Sequence, residues 1–254
     1  MERWASGEQY EPYVGRWSRL VAAEFVAWLN QPAGRRWLDV GCGTGALTST
    51  IVRDAAPAYV LGVDRSEGFV EYARRTVPGA TFEVRDAEDL PDASFDIAVS
   101  GLVLNFVPDR DRLLRRLGEF GDVVAAYVWD YADGMQLMKY FWEVAGEVDP
   151  ARRDLDEGTR FPFCRPDALE EMFTGAGFGE VAGRGIVVPT VFTSFEDYWT
   201  PFLGGQGAAP AYLSTVDETT RDKIRDALRE RLPVESDGTI SLTARAWAVR
   251  GTTR

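Results

Sequence analysis

The chain contains no histidine, only two cysteines (Cys42 and Cys164) and only two lysines (Lys139 and Lys223). Without imidazole, Ser-His-Asp or Cys-His catalysis, histidine metal ligands and histidine pH switches are excluded. Two cysteines are too few for a disulfide framework or a four-cysteine site, and we expect no metal. No apolar run approaches the ~18 residues of a membrane span, and the start, MERWASGEQY, has no apolar signal region. We therefore expect a cytoplasmic protein with no membrane partner.

The composition that is present suits a folded globular protein. The 254 residues are 45% hydrophobic and 12% aromatic, which is enough for a sizeable buried core. The length allows either one α/β domain with a cap or two units. The 28 basic and 40 acidic residues leave a net charge of −12. This charge disfavours nucleic acid and anionic membrane surfaces as partners, and the sequence carries no signal of oligomeric state.

Strand-like and helix-like segments alternate between residues 35 and 130. This alternation predicts βαβ units and a parallel, doubly wound sheet. The predicted strands are Trp37–Val40, Tyr59–Val63, Thr81–Val84, Phe95–Val99 and Val123–Trp129. Helices are predicted at 18–29 with Ser18 as N-cap, from about Ser66, and at Asp109–Leu117.

The second half of the chain does not continue the regular alternation of strands and helices. We predict helices at 134–148 and Pro166–Phe173, a charged loop at 149–160, and strands at Glu180–Val191 and Ser241–Arg250. Capping-box patterns begin at Ser194 and Thr215. Aromatic residues crowd the interval 127–202. They are consistent either with a cap beside the functional edge of the sheet or with a second hydrophobic core.

A glycine-rich loop, Leu38-Asp-Val-Gly-Cys-Gly-Thr-Gly45, follows the first predicted strand. Gly41, Gly43 and Gly45 allow positive φ and close approach of a ligand to backbone N–H groups at the start of a helix. The pattern also satisfies the dinucleotide-binding fingerprint. The loop alone therefore leaves the ligand open.

Two carboxylates narrow the choice of ligand for the glycine loop. Asp64 ends the second predicted strand, where an acid can accept hydrogen bonds from both ribose hydroxyls. Asp86 follows the third strand, where an acceptor can meet an exocyclic adenine amine. Such residues are also common turn caps, but functional strand ends in three successive βα units favour a nucleoside site.

These residues together resemble the class I S-adenosylmethionine-dependent methyltransferases, specifically the small-molecule group called methyltransferase type 11. LDVGCGTG resembles the first motif, GVDRSEGFVEYAR the second, RDAEDLP the third and FDIAVSGLVLNFVPD the fourth. The resemblance is close over residues 35–130. It is looser in WASGEQYEPYVGRWSRL, similar to an N-terminal cap segment, and at the C-terminal end.

The resemblance implies a doubly wound, Rossmann-like α/β fold. The sheet has seven mostly parallel strands, with helices on both faces and an N-terminal plus an inserted cap. It also implies one methyltransferase domain over 1–254. Its parts are a cap helix region (1–30), a cofactor-binding core (35–130), an aromatic-rich cap and insertion (131–215), and a C-terminal helix and strand (216–254).

The resemblance implies S-adenosyl-L-methionine as cofactor and assigns roles by position. The segment from Asp39 to Gly45 holds the methionine moiety. Within it, Cys42 is also consistent with a small packing residue, and Gly43 is a further cofactor-binding position. Asp64 binds the ribose, Asp86 with the Ala87 backbone binds the adenine, and Arg65 flanks the adenine. The remaining positions are Ser100 and Gly101 on the methionine side, and Tyr13 and Arg16 closing over the cofactor or simply packing on the sheet.

Methyl transfer is an in-line displacement that depends chiefly on alignment. Many relatives carry a histidine after the fourth strand, but this chain has Asn105, which orients a substrate without accepting its proton. The catalytic residue stays open, with Tyr13, Asn105, Asp130 and Tyr131 as candidates, although Asp130 also fits a strand-end cap. We expect a small-molecule substrate.

Two other functions remain open from the sequence. A nicotinamide-dependent oxidoreductase uses the same glycine loop, but it leaves the Asp86 segment unexplained and needs a Tyr-x-x-x-Lys pair that is not evident here. A non-catalytic S-adenosylmethionine-binding protein carries the same binding motifs without transferring a methyl group.

Overall fold

A computed structural model describes residues 14–87, 89–90, 93–204 and 207–253. Its centre is a seven-stranded sheet in the order β3-β2-β1-β4-β5-β7-β6. The strands are β1 (Arg36–Val40), β2 (Tyr59–Asp64), β3 (Thr81–Val84), β4 (Ile97–Gly101), β5 (Val123–Trp129), β6 (Gly179–Phe192) and β7 (Ile240–Thr252).

Helices connect the strands on both faces of the sheet. They are α1 (Arg16–Leu29), α2 (Ala46–Asp54), α3 (Glu67–Thr76), α4 (Arg110–Gly118), α5 (Gln136–Val148), α6 (Glu157–Arg160), α7 (Pro166–Gly175), α8 (Phe195–Trp199), α9 (Ala208–Leu213) and α10 (Glu218–Arg231). Short 3₁₀ turns occupy Leu104–Phe106, Pro150–Leu155 and Thr200–Gly204.

The first five strands form the predicted parallel sheet. Strand β1 lies between β2 and β4, with Leu38 opposite Leu61 and Ala98. Four of the five residues of β1 are buried, as expected for a strand covered on both faces. Because these strands are parallel, their carboxyl ends and the loops that follow meet at one edge of the sheet.

The last two strands form an antiparallel pair. Strand β7 pairs with β5 on one side and with β6 on the other. Strand β6 is therefore an edge strand. Its interior contains Pro189, which has no N–H to donate to a ladder and is tolerated because the strand has a neighbour on one side only. The predicted mostly parallel, seven-stranded Rossmann-like architecture is confirmed.

Three local predictions are wrong. Helix α1 begins at Arg16 rather than Ser18, and the Ser18 hydroxyl donates to the carbonyl of Val14. The interval 149–160 is not a loop but a 3₁₀ turn followed by α6. Asp217, not Thr215, caps α10 by accepting from the Thr220 amide at 2.7 Å. The predicted Ser194 cap is present. Ser66, near which a helix was predicted to begin, caps α3.

The crowded aromatic residues divide between two environments. Most of them pack into one buried core, where the rings of Phe141 and Phe202 stack with centroids 4.7 Å apart. Tyr131 and Phe161, together with Trp129 of that core, line a cavity. Strand β6 falls inside the interval 131–215, so that interval is not wholly a cap, because part of it completes the sheet.

Candidate active site

A cavity of about 640 Å³ opens at the carboxyl edge of the parallel strands. This volume lies within the range of small-molecule binding sites. Its walls come from the start of the chain's described part, the glycine loop, the ends of β2 to β5, and the segment between β5 and β6. Residues lining it include Val14, Ser18, Asp39, Gly41, Cys42, Gly43, Asp64, Arg65, Arg85, Asp86, Ala87, Gly101, Val103, Phe106, Tyr127, Trp129, Tyr131, Met135, Met138, Glu157 and Phe161.

The glycine loop has the backbone conformation that its sequence predicts. Gly41, Gly43 and Gly45 all have positive φ. At Gly41, with φ +74°, a Cβ atom would lie 2.3 Å from the Val103 Cγ2, so only glycine permits this approach between the β1 and β4 loops. A Cβ at Gly43 would meet no atom within 4 Å, so the loop is open there.

Asp39 lies buried at the end of β1, on the wall of the cavity. Its Oδ2 accepts a 2.6 Å hydrogen bond from the Thr48 hydroxyl, whereas its Oδ1 is buried and accepts none. Burial raises the pKa of Asp39 to about 7, with a further contribution from the charge of Asp64, although the Thr48 hydrogen bond lowers it. An unpartnered buried carboxylate oxygen at a cavity wall fits a cationic ligand group, such as the ammonium of a methionine moiety.

Asp64 ends β2 and connects two backbone segments. Its Oδ2 accepts from the Gly43 amide at 2.9 Å and its Oδ1 from the Ser66 amide at 2.8 Å. Burial raises the pKa of Asp64, while these two hydrogen bonds and the nearby Arg65 lower it. A carboxylate has about four acceptor positions, so both oxygens keep capacity for ribose hydroxyls. The described residues thus fit a nucleoside with an amino-acid tail.

The three residues predicted to contact the adenine lie together in the structure. Arg65, Asp86 and Ala87 all line the cavity, at the ends of β2 and β3. Arg85, which we did not predict, lines it as well. These positions follow neighbouring strands, and this proximity is what the strand-end pattern implies.

Ser100 and Gly101, at the end of β4, differ in whether they line the cavity. Ser100 is fully buried and donates to the Val40 carbonyl at 2.9 Å, so its side chain holds β1 and does not line the cavity. Gly101 does line it, and a Cβ there would lie 2.6 Å from the Tyr127 hydroxyl. The next residue, Leu102, has φ +63°. Backbone strain of this kind in a non-glycine residue is typical of functional sites.

Of the two residues predicted to close over the cofactor, the structure describes only Arg16. Arg16 donates from Nη1 to Asp197 at 2.9 Å and stacks on the rings of Trp17 and Phe192. It does not line the cavity, so the packing alternative describes Arg16. Tyr13 lies outside the described residues.

The catalytic candidates also differ in position. Asp130 does not line the cavity; its Oδ2 pairs with Arg245 Nε at 2.7 Å and its Oδ1 accepts from the Asp133 amide, as in a strand-end turn. Asn105 is buried outside the lining, with neither side-chain polar atom hydrogen-bonded. Tyr131 lines the cavity, and its ring lies 5.7 Å from that of Phe161.

Cys42 behaves as a packing residue. Its side chain is buried with Val70, Ala73, Val77 and Phe82. Burial, together with the charges of Asp39 and Asp64, raises the pKa of its thiol well above the usual value. A thiol in this environment is a poor nucleophile.

Glu157 is the main lining residue that the sequence did not reveal. It is the first residue of α6, is only 7% exposed, and accepts a hydrogen bond from the Trp142 indole N–H. The charged interval 149–160 lacks the helical periodicity that would have marked it. Met135, Met138 and Phe161 were missed for another reason, because their contact with the cavity depends on how the inserted segment folds back.

Fold and cavity together define a class of protein. The sheet order, the glycine loop and the acidic residues at or after the ends of β1, β2 and β3 define a Rossmann-like fold with a cleft suited to a nucleoside. The chain belongs to the class I S-adenosylmethionine-dependent methyltransferases. The nicotinamide-dependent alternative is therefore wrong.

Similarity to known proteins supports this family assignment. Residues 38–118 match a model described as "Methyltransferase domain". A trans-aconitate 2-methyltransferase of Deinococcus radiodurans is 31% identical over 210 residues, which cover 79% of this chain and 80% of that one. A demethylmenaquinone methyltransferase of Symbiobacterium thermophilum is 31% identical, with 70% and 81% covered.

A solved structure shows the same fold. It is a phosphoethanolamine N-methyltransferase of Haemonchus contortus in complex with S-adenosyl-L-methionine, with a TM-score of 0.55 and 14% identity. The match covers 92% of this chain and 52% of that one. Within the part of the chain that the structure describes, no helix is both long and apolar enough to cross a membrane.

Proposed function

We propose that this methyltransferase transfers the methyl group of S-adenosylmethionine to a small molecule enclosed in the cavity. The observation that carries the proposal is the continuity of one cavity from the glycine loop to the inserted segment. Its far wall is built from aromatic and methionine side chains rather than from a groove suited to a polymer. The net charge of −12 also disfavours nucleic acid.

The chain's own residues would chiefly bind and orient. When bound, S-adenosylmethionine supplies an electrophilic methyl group on a positively charged sulfur. Asp64 would hold the ribose, Asp39 the cationic end of the methionine moiety, and Asp86 with Ala87 the adenine. Tyr127 and Trp129 also line the cavity and would contact the bound molecules. Such alignment is the main contribution that a protein can make to an in-line displacement.

The curated relatives support a small acceptor without fixing which one. Their names specify a tricarboxylate, trans-aconitate, and a ring compound, demethylmenaquinone. Both are small molecules rather than polymers. For location we propose the cytoplasm, supported by two cysteines that are both unpaired.

Calorimetry tests the cofactor site directly. Wild-type protein is expected to bind both S-adenosylmethionine and S-adenosylhomocysteine. Asp64→Ala is expected to lose about 1–3 kcal/mol of affinity, because paired hydrogen bonds to a carboxylate are removed. Asp54→Ala, which changes an exposed aspartate at the end of α2, serves as the matched control and should bind normally.

Two results would count against this proposal, and they differ in scope. Unchanged affinity in Asp64→Ala removes Asp64 from the ribose site. No heat with either ligand, on wild-type protein shown to be folded by circular dichroism, overturns the proposed function. Binding without S-adenosylhomocysteine formation, when trans-aconitate and a hydroquinone are offered with S-adenosylmethionine, excludes both as acceptors.

A further inference from the structure

The side chain of Tyr127 occupies the space that a side chain at position 101 would fill. Gly101 and Tyr127 are partners in the parallel pairing of β4 with β5, so both positions face the same side of the sheet. A Cβ atom on Gly101 would lie 2.6 Å from the Tyr127 hydroxyl oxygen and 2.7 Å from its Cζ. The phenol ring therefore lies across the end of β4. Both residues line the cavity.

The core beneath the cavity holds this ring in place. The ring centroid of Tyr127 lies 4.7 Å from that of Phe25 on α1, and Tyr127 is only 2% exposed. The Leu102 amide donates to the Tyr127 carbonyl at 2.8 Å, which ties the residue after Gly101 to β5. A ring that is packed in this way has little room to change its rotamer. The hydroxyl group therefore stays beside Gly101.

The order of the strands determines which part of the cofactor would lie nearest to this hydroxyl. Asp86 follows β3, Asp64 ends β2 and Asp39 lies in β1, and β4 and β5 come next in the sheet. The sulfur of S-adenosylmethionine carries the ribose, the methionine chain and the methyl group. With the first two directed to Asp64 and Asp39, the methyl group faces the next strand ends, where Gly101 and Tyr127 lie.

A phenolic hydroxyl has the right chemistry for this position. It offers one donor and two acceptor positions, so its oxygen can accept from a ligand while its hydrogen is donated to another partner. The C–H bonds beside a positively charged sulfur are polarised and can donate weak hydrogen bonds to an oxygen. Because Tyr127 is buried, little water competes for that oxygen, which strengthens such a contact.

We propose, on the basis of the function proposed above, that the Tyr127 hydroxyl oxygen contacts the methyl group on the sulfonium of bound S-adenosylmethionine. Methyl transfer forms a bond from the acceptor to the methyl carbon and breaks the carbon–sulfur bond, whose electron pair stays on sulfur. S-adenosylhomocysteine has neither the methyl group nor the positive charge. Tyr127 therefore distinguishes the cofactor from its product and favours replacement of the product by fresh cofactor.

Calorimetry on wild type and Tyr127→Phe tests this proposal without an acceptor. The measured quantity is the dissociation constant of S-adenosylmethionine divided by that of S-adenosylhomocysteine. The variant keeps the ring, with its packing and its attraction for a cation, and removes only the hydroxyl. We expect the ratio to rise about two- to fivefold, because the lost contact is made to the cofactor and not to the product.

Tyr59→Phe is the matched control. Tyr59 begins β2, at the opposite end of that strand from Asp64, and does not line the cavity. Its ring stacks with that of Phe95 at 6.3 Å between centroids. The same substitution there should leave the ratio unchanged. The thermal midpoint of each variant without ligand shows whether the fold is retained.

A measurement on the wild type needs no variant to fold. With S-adenosylmethionine labelled with ¹³C at the methyl group and tyrosine labelled in the ring, the methyl protons should show a nuclear Overhauser effect to the ring protons of Tyr127. This effect reports proximity directly, whereas the ratio of dissociation constants reports its energetic consequence.

The outcomes separate the role of Tyr127 from the proposed function. An unchanged or lower ratio in Tyr127→Phe overturns the proposal, and so does an equal loss of affinity for both ligands, which is the result expected of a purely structural hydroxyl. Absence of the Overhauser effect with S-adenosylmethionine bound overturns it as well. Failure of both ligands to bind folded wild-type protein is a different result, because it overturns the proposed function itself.

Discussion

At the scale of single residues, Asp39 has a strongly raised pKa within the described site. Its carboxyl group is buried, has one hydrogen-bonded oxygen and lies near a second acid, Asp64. These features favour the neutral form in the absence of ligand. Asp39, whose hydrogen bond to Thr48 joins β1 to α2, therefore also destabilises the ligand-free protein once it ionises.

The first prediction concerns stability against pH in the absence of cofactor. The folded pKa of Asp39, about 7, is raised from 3.8, so its contribution to stability is full at low pH and is lost as pH rises through about 7. At about 1.36 kcal/mol per pKa unit, the loss is on the order of a few kcal/mol. Asp39→Asn should therefore flatten the decline and unfold at a higher urea concentration than wild type at pH 8.

Asp96 provides a control of opposite sign. The Arg36 amide, which donates to its Oδ2 at 2.7 Å, lowers the pKa of Asp96. The stability contribution of Asp96 is hence present at neutral pH and lost on acidification, and Asp96→Asn should leave the decline towards pH 8 unchanged. A wild-type stability that is constant between pH 5 and 8 would contradict the role given to Asp39.

At the scale of elements, the glycine loop and the β4 loop fit together only because Gly41 has no side chain. A Cβ there would lie 2.3 Å from Val103, in a backbone conformation at φ +74° that disfavours other residues. Gly41→Ala is therefore predicted to destabilise the protein by about 1–3 kcal/mol and to weaken cofactor binding, as measured by urea unfolding and calorimetry.

A double-mutant cycle separates the two causes. Adding Val103→Ala should recover part of the lost stability by removing the clash, while the cost of positive φ remains. Gly175→Ala, at the end of α7 where a Cβ meets no atom within 4 Å, should be neutral or stabilising. If Gly41→Ala were no more destabilising than Gly175→Ala, the close packing of the two loops would be disproved.

The sequence was sufficient for elements whose signals are local. Strands β3 and β5 have the predicted bounds, and Ser66 caps α3 as its neighbours indicate. Pairings over long separations were not predictable. Arg16 meets Asp197, 181 residues away, and Asp130 meets Arg245, 115 residues away. Arg16 was therefore a candidate for closing over the cofactor and Asp130 a catalytic candidate, because neither distant partner leaves a mark in the adjacent sequence.

At the scale of the whole molecule, the cavity joins parts of the chain that are far apart in sequence. Val14 and Ser18 come from α1 and the turn before it, Asp39 from the sheet, and Glu157 from the inserted segment. A ligand that fills this cavity contacts all three and binds the folded state only. Its binding energy therefore adds to the stability of the whole fold.

Thermal unfolding tests this coupling. At a concentration about 100 times its dissociation constant, S-adenosylhomocysteine should add about 2.7 kcal/mol of stability. For a chain of this size that corresponds to a midpoint about 5–11 °C higher. Asp64→Ala should show a smaller rise at the same ligand concentration, and Asp54→Ala the full one. A midpoint that does not move in wild type would show that the cavity is not the binding site.

The absence of histidine and the burial of Asp39 have a joint consequence. A chain without imidazole still has a group that takes up and releases a proton near neutral pH, and that group lies at the cavity wall. A cationic ligand end bound against Asp39 favours the ionised carboxylate and expels the proton. We therefore predict that cofactor binding displaces a proton from Asp39 and acidifies an unbuffered solution.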